Sequence, residues 1–163
     1  MKNEWIAALF LVLALLAGIY FYTKFRVAPF IPFSQLSLVD LEGQPVKFDS
    51  FKGRRLVVCF SATWCGNCWQ ELKTIRKIKA AELSDVEILV ISDEPLEQVP
   101  RFREKLGDAF TYLKLNADFP SIGINSLPTT YIINRDFEVK KENVGYMDWE
   151  DPSTLQHLKK LME

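Results

Sequence analysis

LVVCFSATWCGNC, the stretch from Leu56 to Cys68, decides the fold. Its first five residues form an apolar run that is typical of a strand buried on both faces. The run ends shortly before the spacing Cys65-Gly66-Asn67-Cys68. A Cys-x-x-Cys pair between a buried strand and the start of a helix favours a redox dithiol over a metal knuckle.

A helix is predicted directly after the pair, over Trp69 to Leu83. Apolar residues at helical spacing form one stripe there: Cys68, Leu72, Ile75 and Ile78. The charged residues of this segment are expected to face mostly water, and they are Glu71, Lys73, Arg76, Lys77 and Lys79. The second cysteine therefore points inward, while the first stands at the helix start.

The position of Cys65 predicts that it is the nucleophile. The unsatisfied amides of a helix N-terminus carry partial positive charge, which favours a thiolate over a thiol. Without such help a thiol of pKa ~8.5 is only about 3% ionised at pH 7. Cys68, shielded on the inward stripe, is predicted to resolve a mixed disulfide by attacking Cys65.

Two alternatives for the pair are a static disulfide and half of a zinc site. A loop this short removes little chain entropy, so it stabilises a fold poorly. Zinc takes four ligands, and the chain offers only Cys59 and the single His157 in addition. We expect Cys59 to be a buried packing residue, with a third redox centre as the alternative, and His157 to be an exposed or partly buried helix residue. No metal and no cofactor is predicted.

The remaining patterns predict an α/β sandwich of three layers. Two short strands, Gln35–Val39 and Pro45–Phe48, flank the turn-like Leu41–Gln44 and indicate a hairpin. Further buried strands are predicted at 86–91 and 130–133, and further helices at 96–106 and 154–162.

The N-terminal segment predicts contact with a membrane. Trp5 to Tyr22 is a run of eighteen residues without a charge, and at ~1.5 Å per residue it covers ~27 Å, close to the thickness of a hydrocarbon core. Residues 1–26 are therefore predicted to be an anchor, with a cleaved signal peptide as the alternative. Pro29 and Pro32 indicate a stiff tether over 27–33, and the folded domain is placed at 34–163.

The net charge of the chain gives no reason to expect a nucleic acid partner. The chain has 163 residues and a formal charge of −1, so it has no surplus positive field for a phosphate backbone. Lys2 on one side of the apolar run, against Lys24 and Arg26 on the other, leaves the positive-inside rule undecided. The dithiol favours an oxidising compartment, because disulfides persist there.

Several of these residues resemble a known family. The LVVCFSATWCGNC stretch, Glu71 and the stretch Leu127 to Asn134, LPTTYIIN, are similar to membrane-anchored TlpA/ResA-type oxidoreductases of the thioredoxin superfamily. The resemblance implies a thioredoxin-like α/β sandwich with an added N-terminal β-hairpin, preceded by one transmembrane helix. It implies a catalytic Cys65 and Cys68, supported by neighbours Trp64, Gly66 and Asn67. It also implies a cis peptide before Pro128 and a substrate-binding segment Leu127-Pro128-Thr129.

Three positions depart from the family pattern. Asn67 stands where a proline is common, Cys59 stands where cytoplasmic thioredoxins carry a buried acid, and the residues after Glu71 lack a common proline. Another base for Cys68 is therefore expected, and Glu94 or its neighbour Asp93 follows a strand at the edge where such sheets build their sites. The alternative is that the two residues form an exposed acidic loop.

The sequence therefore predicts a single-pass protein of the cytoplasmic membrane whose catalytic domain faces the periplasm or cell exterior. The predicted activity is thiol:disulfide exchange with envelope proteins, more in the reducing direction, and cytochrome c maturation is the client process that the resemblance suggests. A membrane electron donor is the expected partner. The alternatives are a copper chaperone that uses the same thiolates and a peroxidase that uses Thr63 and Cys65.

Overall fold

The computed structural model describes residues 4–163 and centres on one mixed sheet of seven strands. The strands are β1 (Leu38–Val39), β2 (Pro45–Val46), β3 (Arg55–Phe60), β4 (Val86–Ser92), β5 (Thr111–Leu115), β6 (Thr129–Ile133) and β7 (Val139–Val144). The helices are α1 (Glu4–Arg26), α2 (Gly66–Glu82), α3 (Pro100–Leu106) and α4 (Pro152–Leu161). The strands lie in the order β2-β1-β5-β4-β3-β6-β7, with β3, β4 and β5 parallel and β6 and β7 antiparallel beside them. This arrangement confirms the predicted thioredoxin-like α/β fold.

Strand β3 is central because both of its faces are apolar. Val57 and Cys59 face one core, and Leu56, Val58 and Phe60 face the other, as the alternation of a strand requires. The first core is completed by residues of the three helices of the domain: Leu72, Ile75, Phe102, Leu106 and Leu158. The second core is completed without long helices, by Phe33, Phe48, Phe51, Phe119 and Ile124. Helices α2, α3 and α4 therefore cover one face of the sheet, and 3-10 turns and loops cover the other.

The helices of the domain begin at residues other than those predicted. Helix α2 begins at Gly66, three residues before the predicted Trp69, because Cys65 is its N-cap. Helix α3 begins only at Pro100, since a proline fits the first turn of a helix but not its interior. Strand β5 was not predicted, and it pairs in parallel with β4.

The N-terminal hairpin is shorter than predicted. Strands β1 and β2 have two residues each, and the Asp40 carboxylate fixes their turn by accepting the N–H groups of Glu42 and Gln44 at 3.0 and 2.8 Å. The outer residues of the predicted strands instead form 3-10 turns at Phe33–Gln35 and Phe48–Phe51. These turns bring their aromatic side chains into the second core.

Helix α1 is long and apolar enough to cross a membrane over Ala8–Arg26. Its side chains from residue 8 onward are exposed, so it projects away from the domain. The first three residues of the predicted anchor, Lys2 among them, lie outside the described residues. Residues 27–33, the predicted tether, contact the domain: Ile31 and Phe33 are buried, and the Tyr131 hydroxyl donates a hydrogen bond of 2.7 Å to the Pro29 carbonyl.

Candidate active site

Cys65 is the N-cap of α2. Its backbone is extended, with φ −87° and ψ 106°, and its sulfur accepts a hydrogen bond of 3.1 Å from the Cys68 N–H. A second hydrogen bond, from the Cys65 N–H to the Ala62 carbonyl at 3.0 Å, fixes the approach from β3. The sulfur therefore lies where the amides of the first helical turn concentrate positive potential.

The two sulfurs are bonded to each other, and the Cα atoms of Cys65 and Cys68 are 5.3 Å apart. Cys65 retains 7% of its surface exposed, whereas Cys68 retains none. An incoming sulfur thus reaches Cys65 first. The predicted order of nucleophile and resolving cysteine requires this accessibility, and the two roles stay a prediction.

The loop before β6 forms the second wall of the site. The Leu127–Pro128 peptide bond is cis, as the resemblance implies, and Leu127 packs against the bonded cysteines. The Pro128 carbonyl accepts the Gly145 N–H at 2.8 Å, and the Thr129 hydroxyl donates to the Ser126 carbonyl at 2.7 Å. These bonds fix the three predicted substrate-binding residues beside the dithiol.

Glu94 lies next to the site, and its hydrogen bonds hold the backbone two residues before Cys65. Its carboxylate accepts the Thr63 N–H at 2.5 Å and the Thr63 hydroxyl at 2.7 Å. The Ser92 hydroxyl donates a third hydrogen bond to it at 3.1 Å. Asp93 instead accepts the Phe119 N–H at 2.9 Å. The hydrogen bonds of both carboxylates therefore go to loops around the dithiol.

The supporting residues of the motif differ in exposure. Trp64 is 73% exposed beside Cys65, and Gly66 and Asn67 are also exposed in the first turn of α2. Trp69 turns inward, and its indole N–H donates to the Thr63 carbonyl at 2.8 Å. Trp64 is thus the large apolar side chain that a partner meets first.

Glu71 is buried, which corrects the expectation that it faces water. Only 1% of its surface is exposed. Its Oε1 accepts the Thr130 hydroxyl at 2.9 Å and the Trp149 indole N–H at 3.2 Å, and its Oε2 accepts the Met147 N–H at 3.3 Å. Burial raises the pKa of the Glu71 carboxyl, and these donors oppose that rise.

The helical spacing contained a signal for Glu71. A residue three positions after Cys68 lies on the same face of α2, and Cys68 itself points inward. Sequence reasoning assigned Glu71 by its charge and missed that position. It is the one buried carboxyl side chain of α2.

Cys59 is a free thiol in the middle of β3, buried as predicted. Burial raises the pKa of this thiol well above its usual value, and the nearby Glu71 charge raises it further. His157 is exposed on α4. Within residues 4–163, no group of three or more His, Cys, Asp or Glu side chains is arranged to hold a metal ion.

Comparison with known proteins gives consistent matches. The family model named Redoxin matches residues 26–158. The thiol-disulfide oxidoreductase ResA of Geobacillus thermodenitrificans is 31% identical over 146 residues, which cover 87% of this chain and 83% of that protein. The thioredoxin-like protein YneN of Bacillus subtilis is 32% identical over 119 residues, 68% of each chain.

A solved structure shares the fold at lower identity. The thiol:disulfide interchange protein of the thioredoxin family from Chlorobium tepidum superposes with a TM-score of 0.64 and 23% identity. The superposition covers 84% of this chain and 99% of that one.

Proposed function

The chain belongs to the Redoxin family and is a thiol:disulfide oxidoreductase, and on that premise we propose that it reduces protein disulfides outside the cytoplasm while anchored by α1. The observation that carries the proposed chemistry is the Cys65 sulfur at the N-terminus of α2, hydrogen-bonded to the Cys68 N–H and bonded to the Cys68 sulfur. A helix N-terminus stabilises the thiolate that attacks a disulfide.

The exchange takes place in two steps. The Cys65 thiolate attacks one sulfur of a substrate disulfide, that S–S bond breaks, and the other substrate sulfur leaves as a thiolate and takes a proton. Cys68 then loses its proton and attacks the Cys65 sulfur, so the mixed disulfide breaks and the second substrate sulfur leaves. The substrate gains two electrons and two protons, and the enzyme is left with the Cys65–Cys68 disulfide.

Two carboxylates divide the supporting roles in this proposal. Glu71 lies on the same face of α2 as Cys68, and burial raises the pKa of its carboxyl, so that it takes a proton more readily than an exposed glutamate does. We propose that Glu71 takes the proton that Cys68 loses. We propose Glu94 as a positioning residue, because its two hydrogen bonds from Thr63 fix the backbone two residues before Cys65.

The reducing direction is supported by the same buried carboxyl. A strongly oxidising dithiol needs a much stabilised thiolate in its reduced form. The negative charge of Glu71 disfavours a second negative charge nearby, as its effect on Cys59 illustrates. By resemblance, apocytochrome c is the client class and a membrane protein is the electron donor.

Trapping tests the exchange chemistry. The Cys68→Ser variant, reduced and mixed with a disulfide-bonded protein, should accumulate a mixed disulfide through Cys65, because its resolving sulfur is gone. Non-reducing electrophoresis and mass spectrometry detect it. The Cys65→Ser variant is the matched control, and equal trapping by both variants would overturn the assigned order.

The equilibrium with glutathione tests the direction. A reduction potential near about −270 mV is that of a reductant, and one near about −120 mV is that of a strong oxidant. We expect a value at the reducing end of this range. A value at the oxidising end would contradict the proposed direction and leave the exchange chemistry intact.

A further inference from the structure

The end of α1 lies against the same edge of the domain as the dithiol. The Ser126 hydroxyl, one residue before Leu127, donates a hydrogen bond of 2.9 Å to the Phe25 carbonyl. Phe25 and Lys24 line a cavity of about 460 Å³ together with Trp64 and Leu127. The last turn of the apolar helix is therefore one wall of the cavity next to the active site.

Arg26 lies near the segment that follows β7. Its Nη1 is 3.9 Å from the point where a Cβ on Gly145 would stand, and the Gly145 N–H donates a hydrogen bond to the Pro128 carbonyl. The helix end thus bonds to Ser126 and lies close to Gly145, on the two segments beside Pro128.

The direction of α1 shows which edge of the domain is nearest to the bilayer. The side chains of residues 8–26 are exposed, so α1 contacts the domain at its last turn and projects away from it. From Tyr22 to Arg26 the helix rises by about 6 Å. The headgroup region on each side of a bilayer is about 5–8 Å thick. A spanning α1 would therefore place Phe25, Arg26 and the adjoining active-site edge at headgroup depth.

Most of the exposed apolar residues of the domain lie near this edge. Within residues 27–163, five large apolar side chains are exposed, and we call four of them the juxtamembrane rim: Val27, Phe30, Trp64 and Tyr146. Val27 and Phe30 follow α1 directly, Trp64 shares the cavity with Phe25, and Tyr146 follows Gly145. The fifth, Val139, pairs with Ile133 at the end of the sheet away from the dithiol and is not part of the rim.

The composition of the rim fits a lipid surface. Trp and Tyr concentrate at the headgroup level of membranes, because their rings are apolar and their N–H or O–H groups remain hydrated. Lys24 and Arg26 add positive charge at the same level, which attracts anionic headgroups. The bilayer itself would therefore cover an exposed apolar patch that lies beside a spanning helix.

We propose that the juxtamembrane rim rests in the headgroup region of the bilayer, with Trp64 as an interfacial residue, so that the dithiol is presented to partners at the membrane surface. This inference rests on the anchor role of α1 within the proposed function. It assigns α1 a second task beyond attachment, which is to set the depth and orientation of the active site.

Fluorescence quenching by brominated lipid tests the depth of Trp64. The full chain is reconstituted in vesicles of phosphatidylcholine and phosphatidylglycerol, with and without bromine on the upper acyl chain. The Trp64 component is the difference between the wild type and Trp64→Phe, because the other three tryptophans are common to both. We expect brominated lipid to quench this component strongly.

The control is an exposed tryptophan at the opposite end of α2. Ser84→Trp in the Trp64→Phe background introduces one just beyond α2, whose 17 residues span about 25 Å. We expect several-fold less quenching there than for Trp64. Equal, weak quenching at both positions would overturn the proposal.

The failure of this inference is distinguishable from failure of the proposed function. Exchange with a soluble disulfide substrate in detergent measures the chemistry without a bilayer. Full exchange together with an unquenched Trp64 overturns the membrane placement alone. A wild type that exchanges no disulfide overturns the proposed function, whatever the fluorescence shows.

Discussion

The carboxylates near the two ends of α2 differ in their burial and in their partners. At the N-terminal end, Glu71 and Glu94 are buried, and their carboxylates accept hydrogen bonds from backbone N–H groups and side-chain donors. At the C-terminal end, Asp85 is half exposed and pairs with Arg55 and Arg135 at 3.2 and 3.5 Å. Burying a carboxylate costs free energy unless it is well hydrogen-bonded, whereas an exposed ion pair costs and gains little. Burial of charge, rather than its amount, therefore distinguishes the reactive end of the molecule.

We expect the largest difference in disulfide reduction between a variant of Cys65, at the N-terminus of α2, and a variant of Cys59, buried in β3. Cys65→Ser should abolish disulfide reduction, because a serine hydroxyl does not replace a thiolate in exchange. Cys59→Ser in the buried middle of β3 should retain exchange, since the thiol there has a raised pKa and no access to a substrate. Insulin reduction and thiol counting after denaturation measure the two outcomes. Loss of exchange in a folded Cys59→Ser protein would mean that a third thiol takes part.

Sequence reasoning identified the parts of this end that are local in the chain. The apolar run of β3, the place of Cys65 near the helix start and the inward direction of Cys68 follow from spacing within a few residues. Glu71 was missed because its partners Thr130 and Trp149 are 59 and 78 positions away, and only the fold brings them to α2.

Two further differences in what the sequence predicted have physical reasons of the same kind. Strand β5 was missed because its five residues include a lysine, and its pairing with β4 is a tertiary contact. Glu94 was predicted near the dithiol as a base, and its contact with Thr63 depends on how two loops meet. Residue type and spacing predicted its location, whereas its hydrogen-bond partners are set by the fold.

A smaller effect is expected when the buried carboxyl of α2 is neutralised. Glu71→Gln keeps the shape and an acceptor for Thr130 but removes the proposed proton acceptor of Cys68. We expect resolution of the mixed disulfide to slow by about a hundredfold and to lose its dependence on the protonation of Glu71. Stopped-flow kinetics across pH measure this step. An unchanged pH profile would assign the proton to another group.

The same variant changes how stability depends on pH. The raised pKa of Glu71 means that the native state binds this proton more tightly than the unfolded state, whose carboxyl titrates near ~4.3. Stability is therefore lost as pH rises from that value through the native pKa. Urea unfolding should show this loss in the wild type and not in Glu71→Gln. If the unfolding free energies of the two proteins changed with pH in parallel, the pKa of Glu71 would not be raised in the native state.

A moderate effect on both rate and stability is expected from Glu94. Glu94→Ala leaves the Thr63 N–H and the Ser92 hydroxyl without their acceptor, which should cost about 1–3 kcal/mol of unfolding free energy. The loop before Cys65 should loosen, so exchange should slow while the pH dependence keeps its shape. That combination marks a positioning residue. A changed pH profile would instead indicate that Glu94 handles the proton.

The smallest effect is expected at the opposite end of α2. Asp85→Asn removes the shared partner of Arg55 and Arg135, and because the aspartate is half exposed, water and salt replace most of what is lost. Unfolding free energy should fall by less than about 1 kcal/mol, and the difference should shrink further at high salt. Disulfide exchange should remain at the wild-type rate, since the ion pairs lie at the other end of the helix from the dithiol. A loss of exchange as large as that of Glu94→Ala would show that the charged end is coupled to the site, and the contrast between buried and exposed carboxylates would then fail as a guide to function.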